Sequence, residues 1–248
     1  MIPDSTSIPF YLKALIIVSC LIPLARLFWL FYQAGLTQWK LAIPVAIILV
    51  FYFMLSWLHI NDFFSDLSSF PPKVLITIVF PLLALFVLAF SPFTGGIIKK
   101  LPLLSLVELQ SFRFLAEAFI ALMVYEGLMP SIMTIEGRNI DIIVPFSVFL
   151  ISPLVRANWL SMAARRNLLI FWNFSGIVIL SNTVATAVLA MPTPAQKFMT
   201  QPPLLVPIIF PVFLLPAFLV PLAFFLHALS LRQLISDYWA GKLEYPGR

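Results

Sequence analysis

VLITIVFPLLALFVLAFSPF, residues 74–93, holds twenty residues and no charge. The hydrocarbon core of a bilayer is about 30 Å thick, and an α-helix rising 1.5 Å per residue crosses it in about 20 residues. The apolar run is continuous rather than alternating, so it reads as a membrane helix and not as a barrel strand. Applied outward from this stretch, the same ruler predicts seven spans, at about 12–32, 41–60, 74–93, 106–128, 142–163, 168–191 and 204–231. The expected fold class is an all-α integral membrane protein, with a seven-helix membrane domain over 1–235 and a short cytoplasmic tail over 236–248.

The bulk composition agrees with this. Of 248 residues, 62% are hydrophobic and 10% charged. A soluble domain carries about 25% charged residues, so a soluble enzyme, a nucleic-acid-binding domain and a disordered chain are all poor readings. The net charge of +5 is spread over short loops, where it acts as a topology signal. Cys20 is the single cysteine, which excludes an internal disulfide and a cysteine-based metal cluster. The stretch MIPDSTSIPFYLK lacks the basic region and cleavage site of a signal peptide, so the first apolar segment is expected to stay as a helix.

Orientation follows from the loop cations. Lys40, Lys99, Lys100, Arg165, Arg166, Arg232, Lys242 and Arg248 fall on one side, and Lys13, Lys73, Arg138 and Lys197 on the other. The richer side faces the cytoplasm. The N-terminus is then outside and the C-terminus inside, and the membrane is the plasma (bacterial inner) membrane. Trp39, Trp57, Tyr125 and Trp239 lie near span ends, where aromatic belts form.

Two pairs of spans share local patterns. Span one contains Pro23-Leu24-Ala25-Arg26-Leu27-Phe28-Trp29-Leu30, and span five contains Pro153-Leu154-Val155-Arg156-Ala157-Asn158-Trp159-Leu160. Span three opens Phe70-Pro71-Pro72 and reaches Phe80-Pro81. Span seven opens Gln201-Pro202-Pro203 and reaches Phe210-Pro211. These matches predict a 3+1+3 parallel repeat with span four as linker. The arrangement resembles the plan of the sugar-transporting SWEET and PQ-loop families in topology and in a proline within spans one and five. Their Pro-Gln pair is absent, since Leu24 and Leu154 follow these prolines, so neither sugar transport nor any site residue is carried over.

Charges inside a span are costly and by default mark function. Span four concentrates them as Glu108, Gln110, Arg113, Glu117 and Glu126. Gln110, Arg113 and Glu117 are spaced i, i+3, i+7 and share a helix face, where Arg113 and Glu117 are one turn apart and able to pair. Arg156 on span five has Glu108 at similar depth as its expected partner. Asn158 is placed at the cytoplasmic end of that helix. Asn173 and Asn182 are further polar candidates on span six, beside Ser181 and Thr183. The polar loop 130–141 adds Glu136, Arg138, Asn139 and Asp141, with Glu136 and Arg138 either paired or closing over an outward cavity, and Asp141 as N-cap of span five.

His59 and His227 fall near opposite faces of the membrane and cannot share a metal or haem. His59 with Asp62 and Asp66 has no recognised zinc spacing. Span seven carries no lysine, which disfavours a retinal-type Schiff base, but it is rich in prolines that bend helices. No metal and no cofactor are expected. Three functions fit this inventory. The first is a small permease or carrier for a polar or anionic solute, in which Arg113 attracts an anionic group or Glu117 carries a proton. The second is a non-catalytic subunit with membrane-protein partners, and the third is an intramembrane lipid-modifying enzyme. The lipid bilayer is the expected environment in all three, and nucleic acid is not a partner.

Overall fold

The computed structural model describes residues 7–157 and 159–239. Asn158 and the tail from residue 240, with Lys242 and Arg248, lie outside the described residues, as do the side chains of Trp39, Lys40 and Trp239. Helix accounts for 73% of the chain, with no strand among the described residues.

Helix α1 spans Phe10–Gln33 and α2 Gln38–Ile60. They are followed by α3, Ile76–Phe90, the short α4, Pro92–Ile98, and α5, Leu103–Leu109. Helix α6 spans Arg113–Tyr125, α7 Ile143–Arg156, α8 Met162–Ala190 and α9 Val220–Trp239. Among the described residues four stretches are long and apolar enough to cross a membrane: Phe10–Gln33, Lys73–Phe90, Met162–Ala190 and Leu215–Ser236. Two shorter apolar helices run Val45–Ile60 and Ile143–Arg156.

Local chemistry sets the breaks. Helix α1 turns out at Gly35 (φ 88°) and α6 at Gly127 (φ 67°). In both, the amide after the glycine bonds back five residues, Leu36 to the Phe31 carbonyl and Leu128 to the Met123 carbonyl, which closes a Schellman turn that needs the left-handed residue. The Ser161 hydroxyl accepts from the Ala164 amide and starts α8. The fourth predicted span is one rod with a 3-10 turn, Gln110–Phe112, between α5 and α6. The fifth is shorter than expected, because α7 stops at Arg156.

The seventh span departs most from expectation. Residues 204–214 contain only a 3-10 turn, Val206–Ile208, and a π turn, Leu215–Leu219, leads into α9. Prolines at 207, 211, 216 and 221 withhold amides there. Side chains from α2 serve carbonyls whose helical donor would be a proline. The Tyr52 hydroxyl donates to the Ala217 carbonyl (2.8 Å), four residues before Pro221. His59 Nε2 lies 3.0 Å from the Pro207 carbonyl, four residues before Pro211. The likeness between spans three and seven therefore does not extend to shape, since Pro81 sits inside regular α3.

The last helix is the centre of the bundle. Helix α9 packs against α3, α5 and α8, while α1 packs against α6. Apolar side chains such as Phe53, Val87, Phe149 and Phe171 point outward from α2, α3, α7 and α8, as a lipid-facing surface requires.

Candidate functional site

The loop between α6 and α7 folds back into the bundle and delivers two polar side chains to its interior. A Cβ at Gly137 would strike the backbone of Ser131 and Ile132, so only glycine permits this close approach. Asn182 on α8 donates to the Arg138 carbonyl (2.8 Å) and ties the loop down. Asn139 and Asp141 are thereby buried, at 0% and 4% exposure.

Asn139 organises one half of the site. Its amide nitrogen lies 3.2 and 3.1 Å from the two Glu117 oxygens and 3.0 Å from the Met133 carbonyl. Its carbonyl oxygen accepts from the Asp141 amide (3.0 Å) and the Thr183 hydroxyl (2.8 Å).

Arg113 organises the other half. Its Nε donates to Asp141 Oδ2 (2.8 Å), and its Nη2 closes a bidentate fork on Oδ1. Its Nη1 lies 3.2 Å from His227 Nε2. A guanidinium only donates, so this His227 nitrogen must accept with its lone pair. The proton then sits on Nδ1 and is donated to Asn173 Oδ1 (2.9 Å). Asn173 is oriented for this because its nitrogen donates to the Leu169 carbonyl (2.8 Å) and the Ser230 hydroxyl (2.9 Å). His227 is thus neutral, with a fixed tautomer. Its ring packs directly on Gly176, where a Cβ would collide with it.

The result is a connected buried polar network: Asn139 bonds Thr183, Glu117 and the Asp141 amide, and from Asp141 the chain runs through Arg113, His227 and Asn173 to Ser230. Thr183 and Asn173 are ten residues apart on α8, so the chain extends about 15 Å along the bundle. A cavity of about 80 Å³ adjoins it. Arg113, Glu117, Asp141 and Thr183 reach this cavity, and the rest of its lining, including Met129, Met133, Leu180 and Leu219, is apolar.

The predicted residues divide. Gln110, Arg113 and Glu117 are buried on one face, as their spacing predicts. Gln110 donates to the Ala223 carbonyl (3.1 Å), while its Oε1 has no partner among the described residues. Arg113 pairs with Asp141 rather than with Glu117, because the loop brings a second carboxylate into its reach. For the same reason Asp141 is not an N-cap: α7 begins after Ile142 without a side-chain cap. Arg156 meets its expected partner Glu108, but on the outside of the bundle and away from this site. Arg138 lies 5.0 Å over the Phe198 ring instead of pairing with Glu136, and both are exposed. His59 is buried against Phe213, with ring centroids 3.9 Å apart, away from exposed Asp62. Asp66 accepts from the Ser68 hydroxyl and amide, which hold its carboxyl below the usual carboxylate range. Among the described residues no three His, Cys, Asp or Glu side chains converge as a metal site would need. Sequence reasoning left His227 and Ser230 out of the site. A lone ionisable residue inside an apolar span was the available signal.

Fold and site together define an all-helical protein with helices fit to cross a membrane and a charged chain buried in its core. Residues 71–235 match a family described as a domain of unknown function, DUF8737, and the chain belongs to that family. No curated protein and no solved structure matches it.

Proposed function

We propose that the chain is a small multi-pass carrier of the plasma membrane in which Glu117 is the proton-carrying group. The observation that carries this reading is the position of Glu117: a buried carboxylate beside a largely apolar cavity, bonded only to a neutral amide among the described residues. Arg113 is already neutralised by Asp141, which favours proton carriage by Glu117 over capture of an anion by Arg113. The four long apolar stretches, α2, the α5–α6 rod and α7 supply segments for seven spans. With the loop cations, they support an N-outside, C-inside arrangement.

The test is charge movement. The full chain is reconstituted in liposomes on a solid-supported membrane and given a pH jump. The wild type should give transient currents that Glu117→Gln abolishes and Glu117→Asp retains in part. Equal currents in all three overturn the assignment.

A second reading, a subunit of a larger membrane assembly, draws on α2. Its Ile47, Val50, Phe53, Trp57 and Ile60 are each 58–75% exposed. A lone monomer that carries pH-jump currents argues against it.

A further inference from the structure

Resting on the carrier reading, we infer that the cavity binds a small organic cation, an alkylammonium head on a short apolar body, in exchange for a proton on Glu117. The argument starts from charge. Helix α6 presents Glu117 and Arg113, the loop before α7 presents Asp141, and α9 presents His227. Thr183 from α8 is polar but does not titrate, and the cavity lining from α3 and from residues 204–220 is apolar.

Arg113 and Asp141 cancel, and the geometry fixes His227 as neutral. An ionised Glu117 therefore leaves the site with one uncompensated negative charge. No such charge persists in an apolar interior without a proton or a cation.

The remaining walls choose between cations. An inorganic ion takes about six oxygen ligands. The lining offers the Glu117 carboxylate, an Asp141 carboxylate whose two oxygens Arg113 already holds, and a Thr183 hydroxyl that already serves Asn139. Ala116, Met129, Met133, Leu180, Met191 and Leu219 instead present hydrocarbon and thioether surface, which suits an alkyl chain. A volume of about 80 Å³ limits that chain to a few carbons.

The exchange balances. The protonated acid and the free ammonium become a carboxylate–ammonium pair and one released proton, with no covalent bond made or broken besides the O–H of Glu117. An anionic or neutral analogue of the same shape finds no such compensation.

Isothermal titration calorimetry of the detergent-solubilised full chain tests this with butylammonium, butyrate and butanol. Two buffers of different ionisation enthalpy count the released protons. Butylammonium should bind with about one proton released, and its affinity should rise about tenfold per pH unit while that proton is exchanged. Butyrate and butanol should bind at least tenfold more weakly. Glu117→Gln should lose both the affinity and the proton release. Should that variant not fold, Ala187→Phe, which fills the cavity and leaves the acid intact, should weaken butylammonium at least tenfold. Butyrate or butanol binding as tightly as butylammonium, or unaltered binding in either variant, overturns the inference. PH-jump currents that depend on Glu117 without alkylammonium binding overturn this inference alone. Loss of both results overturns the carrier reading with it.

Discussion

Asp141 is the residue on which the buried charges depend. It was legible as an acidic loop residue before a span, and the capping rule gave it a local role. Its actual partner, Arg113, is 28 positions away, a distance at which one sequence offers no signal. The spacing of Gln110, Arg113 and Glu117 was legible because one helix sets it. Burial of the Arg113–Asp141 pair has a definite energetic signature. Removing one member of a buried pair costs about 3–5 kcal/mol, whereas replacing both with apolar residues is often neutral. Asp141→Asn should therefore lower unfolding stability in detergent by about that amount. Arg113→Met with Asp141→Leu should recover most of it. A double variant as unstable as the sum of the single ones would show that the pair is not coupled.

At the scale of elements, the spans that read most simply came out most simply. Helices α1, α3 and α8 fall close to the predicted segments because length and hydropathy alone define them. Span seven did not, since each of its prolines removes an amide and the chain uses neighbouring side chains in place of helical bonds. Tyr52 and His59 on α2 serve this purpose, which explains two of the polar groups on a mainly apolar helix. Tyr52→Phe should cost about 1 kcal/mol, the net value of one hydrogen bond. Adding Pro221→Ala, which returns an amide four residues after Ala217, should reduce that loss. Chemical denaturation of the three variants measures both. An equal loss in both backgrounds would mean that the hydroxyl acts elsewhere.

For the whole molecule, composition was enough to predict a helical protein with segments able to cross a membrane. Which helix lies at the centre was not legible, because every span is apolar and only packing separates an α9 buried on most sides from an α2 exposed on one. Orientation belongs to this scale, and the single native cysteine makes it measurable. In a Cys20→Ser background, a cysteine at Glu136 should react with a membrane-impermeant maleimide on intact cells. One at Lys99 should react only after permeabilisation. The opposite pattern would invert the topology.

The loop that carries Asn139 and Asp141 joins the protein surface to the buried chain, and a thermodynamic constraint follows. Asn139 touches Glu117 with the same amide that bonds the Met133 carbonyl. Loop conformation and the occupancy of Glu117 are therefore linked variables. By reciprocity, if a ligand at Glu117 changes the affinity of a molecule binding the loop from outside by some factor, that molecule changes the ligand's affinity by the same factor.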